Sequence, residues 1–364
     1  MKTDLLARLW ADPTRWWATL PPRAWETLLG QARQARLQGR LARYFLDREQ
    51  MAGLPEGPRH HLESALRLAE RQHHEVLWEI DCIRRALVDV GTPVVLLKGA
   101  AYLAAGLPPA PGRLCSDVDI MVDHRHIGAV ESALFAAGWL SQERNAYNDR
   151  YYRRWMHELP PMRHVHRGTH IDVHHTITPP TSRHRVDGAR LLERLEPVPG
   201  RPGLFVLAPV DMVLHSAVHL FQEGEFGHGL RDLLDLNDLL SHFGGRAGFW
   251  AELLDRADAL RLQVPLSHAL LHIERLFSVS APAEFAQRVR ALDRNAVRRR
   301  LMSGLWRIAL RPEHPSCDTW LSGLARWLLY VRSHWLRMPP HLLVFHLGRK
   351  ALMRWQAGTE QPTR

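Results

Sequence analysis

Arg113-Leu114-Cys115-Ser116-Asp117-Val118-Asp119-Ile120-Met121-Val122 is the stretch whose reading decides the fold. From Cys115 to Val122 polar and apolar residues alternate, the period of a strand. Asp117 and Asp119 therefore project to one face, with Val118, Ile120 and Val122 packed beneath. Their Cβ atoms lie about 7 Å apart in such a strand. That spacing brackets a pair of magnesium ions roughly 4 Å apart, as two-metal phosphoryl chemistry requires. Thr169-His170-Ile171-Asp172-Val173-His174 repeats the alternation, with Asp172 and His174 on one face and Ile171 and Val173 on the other. If the two strands are neighbours, three carboxylates converge.

Upstream, Pro93-Val94-Val95-Leu96-Leu97 is a short apolar run between Gly91 and Gly99 with the length of a buried strand. It leads into Lys98-Gly99 and then a helix over 100–105. Such a turn aims free backbone amides at an anion, and glycine permits close approach. The spacing of a Walker A loop is absent. Lys98 adds a point charge for phosphate, and Arg113 adds a second.

Outward from this centre, apolar spacings of three and four predict helices from Asp4 to about Val90, one of them running from Arg59 to Val90 and ending at Gly91. A proline-rich loop spans 107–112, a helix 126–138, and strands are expected between Tyr147 and His175. Pro197, Pro199, Pro202 and Pro209 mark a connection, after which Val210–Gln222, Leu230–Phe243, Ala251–Leu260, Leu266–Phe277 and further segments to Trp355 read as helix. The expected fold class is α+β: a helical region over 1–90, a mixed-sheet core with helices over 91–180, and a helical domain over 205–364.

With 46% apolar and 24% charged residues, the composition is that of a folded chain and excludes a disordered one. Cys82, Cys115 and Cys317 are scattered and odd in number. They suggest neither a disulfide framework nor a zinc knot, and a reducing cytoplasm fits best. The first ten residues lack the apolar run of a signal peptide. The net charge of +10 is carried by arginine, since the lysines are only Lys2, Lys98 and Lys350. The arginines are dispersed and no recognition motif appears, so nucleic acid ranks below a small-molecule or protein partner. Charges interrupt Trp320 to Trp355 too often for a transmembrane span. A packed helical pair is preferred there over a basic helix in peripheral contact with a membrane, and the 13 tryptophans, recurring at helix spacing, are assigned to the core.

At Leu97-Lys98-Gly99, Arg113 to Val122, and Ile171-Asp172-Val173-His174, followed by a helical region with His215, His219 and Arg231-Asp232, the sequence resembles the DNA polymerase β-like nucleotidyltransferase superfamily. The closer likeness is to its bacterial branch of uncharacterised nucleotidyltransferases, over roughly Val90 to Ser241. The resemblance implies that Asp117 and Asp119 coordinate metal on a nucleoside triphosphate. Asp172 would be the third metal-binding carboxylate and help activate an acceptor hydroxyl. Lys98, Gly99, Arg113 and Ser116 would bind the nucleotide's phosphates, with Mg2+, or Mn2+ in its place, as cofactor. Many superfamily members carry Gly-Ser at the turn where this chain has Lys98-Gly99-Ala100, so phosphate binding rests on backbone and Lys98.

Competing readings are an inactive nucleotide-binding scaffold of the same fold and the Asp-x-Asp motif of metal-dependent glycosyltransferases. The latter calls for neither the Lys-Gly turn nor Asp172. His174 and His175 are read as ordinary packed or surface side chains, with orientation of Asp172 or a phosphate contact as their functional alternative. His215, His219 and Glu223, one helical turn apart, read as a packed face in preference to a metal site. Arg231, Asp232 and Asp235 read as helix-surface ion pairs.

Overall fold

In the computed structural model, residues 4–343 are described, apart from 13, 144, 225, 278–280 and 293–295. Lys2, Lys350 and the expected helix beyond 343, with Val344, Phe345, Arg349 and Trp355, lie outside the described residues. Helices open the chain: α1 (Leu5–Ala11), α2 (Pro22–Gln34), α3 (Gln38–Asp47) and α4 (Glu56–Ala86). Asp4 caps α1 through the amide of Ala7, and Pro22 takes the first position of α2, where its missing N–H costs nothing. The 31-residue α4 starts earlier than the expected 59–90 helix and stops earlier, at Ala86, and a short turn over Val88–Val90 carries the chain to Gly91, whose φ of 69° is the expected left-handed one. Trp25, Leu28, Leu41, Phe45 and Leu62 are almost wholly buried. At roughly 1.5–3 kcal/mol for each such side chain, they join these helices to a core continuous with the rest of the protein.

The central elements follow as β1 (Val94–Leu96), α5 (Lys98–Ala104), β2 (Val118–Met121), α6 (Ile127–Ala136), β3 (Trp139–Ser141), α7 (Ala146–Trp155), β4 (Met162–His164), β5 (His170–His174), α8 (Gly188–Leu192), β6 (Leu195–Pro197) and β7 (Leu204–Leu207). One seven-stranded mixed sheet results, in the order β3-β4-β5-β2-β1-β7-β6. β2 runs antiparallel to β1 and parallel to β5, and β1 runs parallel to β7. The α+β class is as the sequence indicates. Two local expectations are corrected. Residues 146–155 form a helix, because Asn145 caps it through the amides of Tyr147 and Asn148 and Arg153 pairs with Asp149 one turn away. The proline-marked connection supplies β6 and β7, the latter a Leu204-Phe205-Val206-Leu207 run between a glycine turn and Pro209.

Beyond the sheet come α9 (Pro209–Gln222), α10 (Gly229–Phe243), α11 (Phe249–Ala259), α12 (Gln263–Leu276), α13 (Ala283–Leu292), α14 (Ala296–Ala309) and α15 (Ser322–Arg337). α9 packs on β7, α10, α11 and α12. The arginine excess is partly internal. Arg256 grips Asp211 with two hydrogen bonds of 2.6 and 2.9 Å, and Arg167 grips Glu79 with two of 2.9 and 2.8 Å. The assignment of tryptophans to the core holds for Trp17, Trp25, Trp139 and Trp306, whereas Trp78, Trp320, Trp327 and Trp335 are exposed. On α15 the small residues Ala325 and Ser333, with Leu329, face inward instead. No described helix is long and apolar enough to cross a membrane.

His272 on α12 lies stacked on Phe221, its Nε2 without a partner. Burial, reinforced by Arg275 and Arg307, lowers its pKa to about 4 from 6.5. Between those values the unfolded chain binds a proton that the native state refuses, so stability falls as pH drops through that window and is fully present above it. The expected loss is about 2 kcal/mol by pH 5 and about 3 kcal/mol in full. The gap between denaturant midpoints at pH 7.5 and pH 5 should narrow in His272→Leu, with the remainder carried by other histidines whose pKa burial lowers, such as His175; an unchanged gap would clear His272 of the effect.

Candidate active site

The parallel pairing of β2 with β5 sets Asp119 opposite Asp172 in register. Neighbouring strands are about 4.8 Å apart and partners share a face, so the two carboxylates are neighbours across the ladder. Asp117, half-buried, precedes β2 and accepts a hydrogen bond from the Ser116 hydroxyl at 2.9 Å. Asp119 is almost fully buried and takes two donors on one oxygen: Lys98 Nζ at 3.0 Å and His174 Nε2 at 3.1 Å, both to Oδ1. Burial alone would raise its pKa, but Lys98 and His174 outweigh it and hold the carboxyl well below the usual range. Asp172 has no such partners. Burial, with the charges of Asp119 and Glu158, pushes it up to about 7.

Lys98 occupies the first position of α5 with φ of 47°, a left-handed conformation that is costly for a residue with a side chain. Such strain persists only where the surroundings fix it, and it gathers at functional sites. Burial opposes the ammonium, but Asp119, Glu223 and Asp117 keep it charged. Lys98, Gly99, Arg113, Ser116, Asp117 and Asp119 line one pocket of about 290 Å3, together with Arg36, Tyr102, His219, His228, Arg231 and Asp232. That volume is near the lower end for small-molecule sites. Asp172 stands beside Asp119 in the sheet but outside the lining of this pocket.

Arg113 does not point freely into the pocket. Its Nε donates to Asp235 Oδ2 at 2.7 Å, and both side chains are buried. The guanidinium lies so close to Gly99 that a Cβ there would meet Arg113 Nη1 at 2.3 Å and Cys115 Sγ at 2.8 Å. Gly99→Ala therefore sets a helix-propensity gain of about 1 kcal/mol against an overpacking cost of about 1–3 kcal/mol. Because Asp235 anchors Arg113, the clash is expected to win. Chemical denaturation checks this, and a variant more stable than wild type would show that Arg113 yields.

The remaining candidates fall into place around this pocket. His174 orients Asp119 and not Asp172, while His175 packs edge-on against the ring of His124, 4.7 Å away. His215 is buried, and its neighbour His219 lines the pocket with Nε2 3.2 Å from Glu223 Oε2. His215, His219 and Glu223 do not form a metal cluster. Glu223 instead approaches His157, whose Nε2 is 3.8 Å away. Arg231 and Asp232 pair with each other, as a helix surface would allow, but at the pocket wall; Asp235 is interior. Sequence reasoning missed Tyr102, whose hydroxyl shares a 2.7 Å hydrogen bond with Ser216 and ties α5 to α9. It also missed His157 and Glu158, which carry no motif.

Asp119 pairs with Asp172 across the sheet and shares with Asp117, Lys98 and Gly99 a polar pocket in an α+β protein, and the family match makes the class a nucleotidyltransferase. The chain belongs to the uncharacterised nucleotidyltransferase family, whose profile matches residues 21–278. No curated protein and no solved structure matches it.

Proposed function

We propose that the protein transfers a nucleoside monophosphate from a magnesium-bound nucleoside triphosphate to a hydroxyl or phosphate oxygen of an acceptor, releasing pyrophosphate, as in the polymerase β-like superfamily. The observation that carries this is the register of Asp119 opposite Asp172, with Asp117 and Asp119 both on the pocket that Lys98 and Gly99 line. The donor chemistry suits a hard divalent cation, although the ligand atoms of Asp117, Asp119 and Asp172 do not all lie within 4.8 Å of one another. Asp119 uses only Oδ1 for Lys98 and His174, which leaves Oδ2 for a metal, and Asp117 and Asp172 add further carboxylate oxygens. Magnesium, or manganese, bound there by Asp117, Asp119 and Asp172 would neutralise charge on the phosphates.

This chain's own residues do the rest by positioning and electrostatics. Lys98 and the Gly99 turn grip the phosphates, with Ser116 and Arg113 beside them. The acceptor oxygen attacks the α-phosphorus in line, the bond from that phosphorus to the bridging oxygen breaks, and pyrophosphate leaves. Asp172 takes the proton of an acceptor hydroxyl. Arg36 from the helical region 1–90 and His219, His228 and Arg231 from 205–364 also line the pocket, which supports a reading in which both regions shape the acceptor site around the 91–180 core.

One observation favours a second reading. Lys98 is already spent on Asp119, as in a nucleotide-binding protein that transfers nothing. Pyrophosphate release decides between the two. With magnesium, each triphosphate and pooled small-molecule or protein acceptors, release above the rate of the Asp117→Asn variant supports transfer. Triphosphate binding without release supports the scaffold.

A further inference from the structure

The second nitrogen of His174 faces a group of donors that the transfer reaction leaves unused. His157, Glu158 and His174 each offer a ligand atom, and these atoms all lie within 4.8 Å of one another. The backbone holds them together. Glu158 bridges to His174 at the edge of β5, and the amide of His175 donates to the carbonyl of His157 at 2.9 Å.

Both histidines are more than nine-tenths buried, and both show the same pattern. In each, Nε2 meets a carboxylate while Nδ1 has no hydrogen-bond partner: His174 Nε2 donates to Asp119 at 3.1 Å, and His157 Nε2 lies within ion-pair range of Glu223 at 3.8 Å. A carboxylate on Nε2 keeps the proton there and leaves Nδ1 as a lone pair. Outer carboxylates prepare metal-binding histidines in this way.

His174 Nδ1 stands 3.4 Å from Glu158 Oε2. A neutral imidazole's lone pair buried against a carboxylate is repulsive and unsatisfied unless a proton or a metal cation lies between them. Tetrahedral coordination with bonds of about 2.1 Å places neighbouring ligand atoms roughly 3.4 Å apart, which matches this separation.

We propose that His157, Glu158 and His174 form a second metal site, distinct from the carboxylate site on Asp117, Asp119 and Asp172, that binds a zinc-class divalent ion. Two imidazoles and a carboxylate favour zinc over magnesium, and three protein ligands leave a fourth position for water. The ion ties the segment between α7 and β4 to β5. It also fixes His174 in the tautomer that donates to Asp119, so His174 becomes a positioning residue for that carboxylate.

The test uses full-length protein stripped with chelator and titrated with Zn2+ by calorimetry in millimolar Mg2+. Wild type is expected to take up a single equivalent that magnesium does not displace. His157→Ala should bind it more than about 100-fold more weakly, exceeding the 10–100-fold cost of losing an outer-sphere partner. Asp117→Asn, which alters only the other site, should bind zinc as wild type does. If circular dichroism shows that His157→Ala is unfolded, Glu158→Gln replaces it with the same expected loss. No zinc uptake by wild type, or equal uptake by the ligand variants, overturns the proposal and leaves His174 as an imidazolium bridging Asp119 and Glu158.

Discussion

Asp117→Asn is expected to lower pyrophosphate release at least about 10³-fold, because a metal-held charge supplies several kcal/mol of transition-state stabilisation and about 4 kcal/mol is three orders of magnitude in rate. Its thermal stability should stay near wild type, since Asp117 is half-buried and its hydrogen bond is with the neighbouring Ser116 hydroxyl. Asp119→Asn should lose as much activity and also about 3 kcal/mol of stability, because Lys98 Nζ, held 3.0 Å from Asp119, is left without its ion partner. The contrast separates chemistry from folding at two aspartates two residues apart. Undiminished turnover in either variant removes that residue from the mechanism.

Asp235→Ala is expected to cost about 3–5 kcal/mol, the price of breaking a buried ion pair from one side. Arg113 is buried and is aimed at Asp235 through Nε at 2.7 Å, so its charge would be left at the pocket wall without its ion partner. The double replacement Arg113→Met with Asp235→Leu should recover most of that loss, since apolar side chains of similar volume substitute for a buried pair at little cost. Urea unfolding of both single variants and the double gives the coupling energy. Strict additivity would mean that the two residues do not depend on each other.

What the sequence disclosed was the part of the site written in local alternation. Asp119 and Asp172 sit at strand positions that period-two spacing identifies, whereas Asp117 falls just before its strand, and Gly91 closes the short turn after the long helix by its own backbone freedom. Lys98 stood out as the lone lysine of the central region, and the structure places it on Asp119. Strand partners were not legible. β6 and β7 are three and four residues long, and their pairing with each other and with β1 is a non-local event that prolines at 197, 199, 202 and 209 obscured. The helix over Ala146–Trp155 was hidden by tyrosines and a tryptophan that favour strands in isolation, although Asn145 and the Asp149–Arg153 pair were visible helix signals. His157 and Glu158 could not be linked to His174, because only the backbone bridge between their segments brings them together.

The most direct test of the central claim needs no acceptor. Calorimetric titration of each nucleoside triphosphate, with and without magnesium, into wild type and Asp117→Asn should show magnesium-dependent binding of at least one triphosphate to wild type. That binding should weaken by at least about tenfold, or 1.4 kcal/mol, in the variant. Absence of binding to every triphosphate, or binding that neither magnesium nor Asp117 affects, would contradict the account.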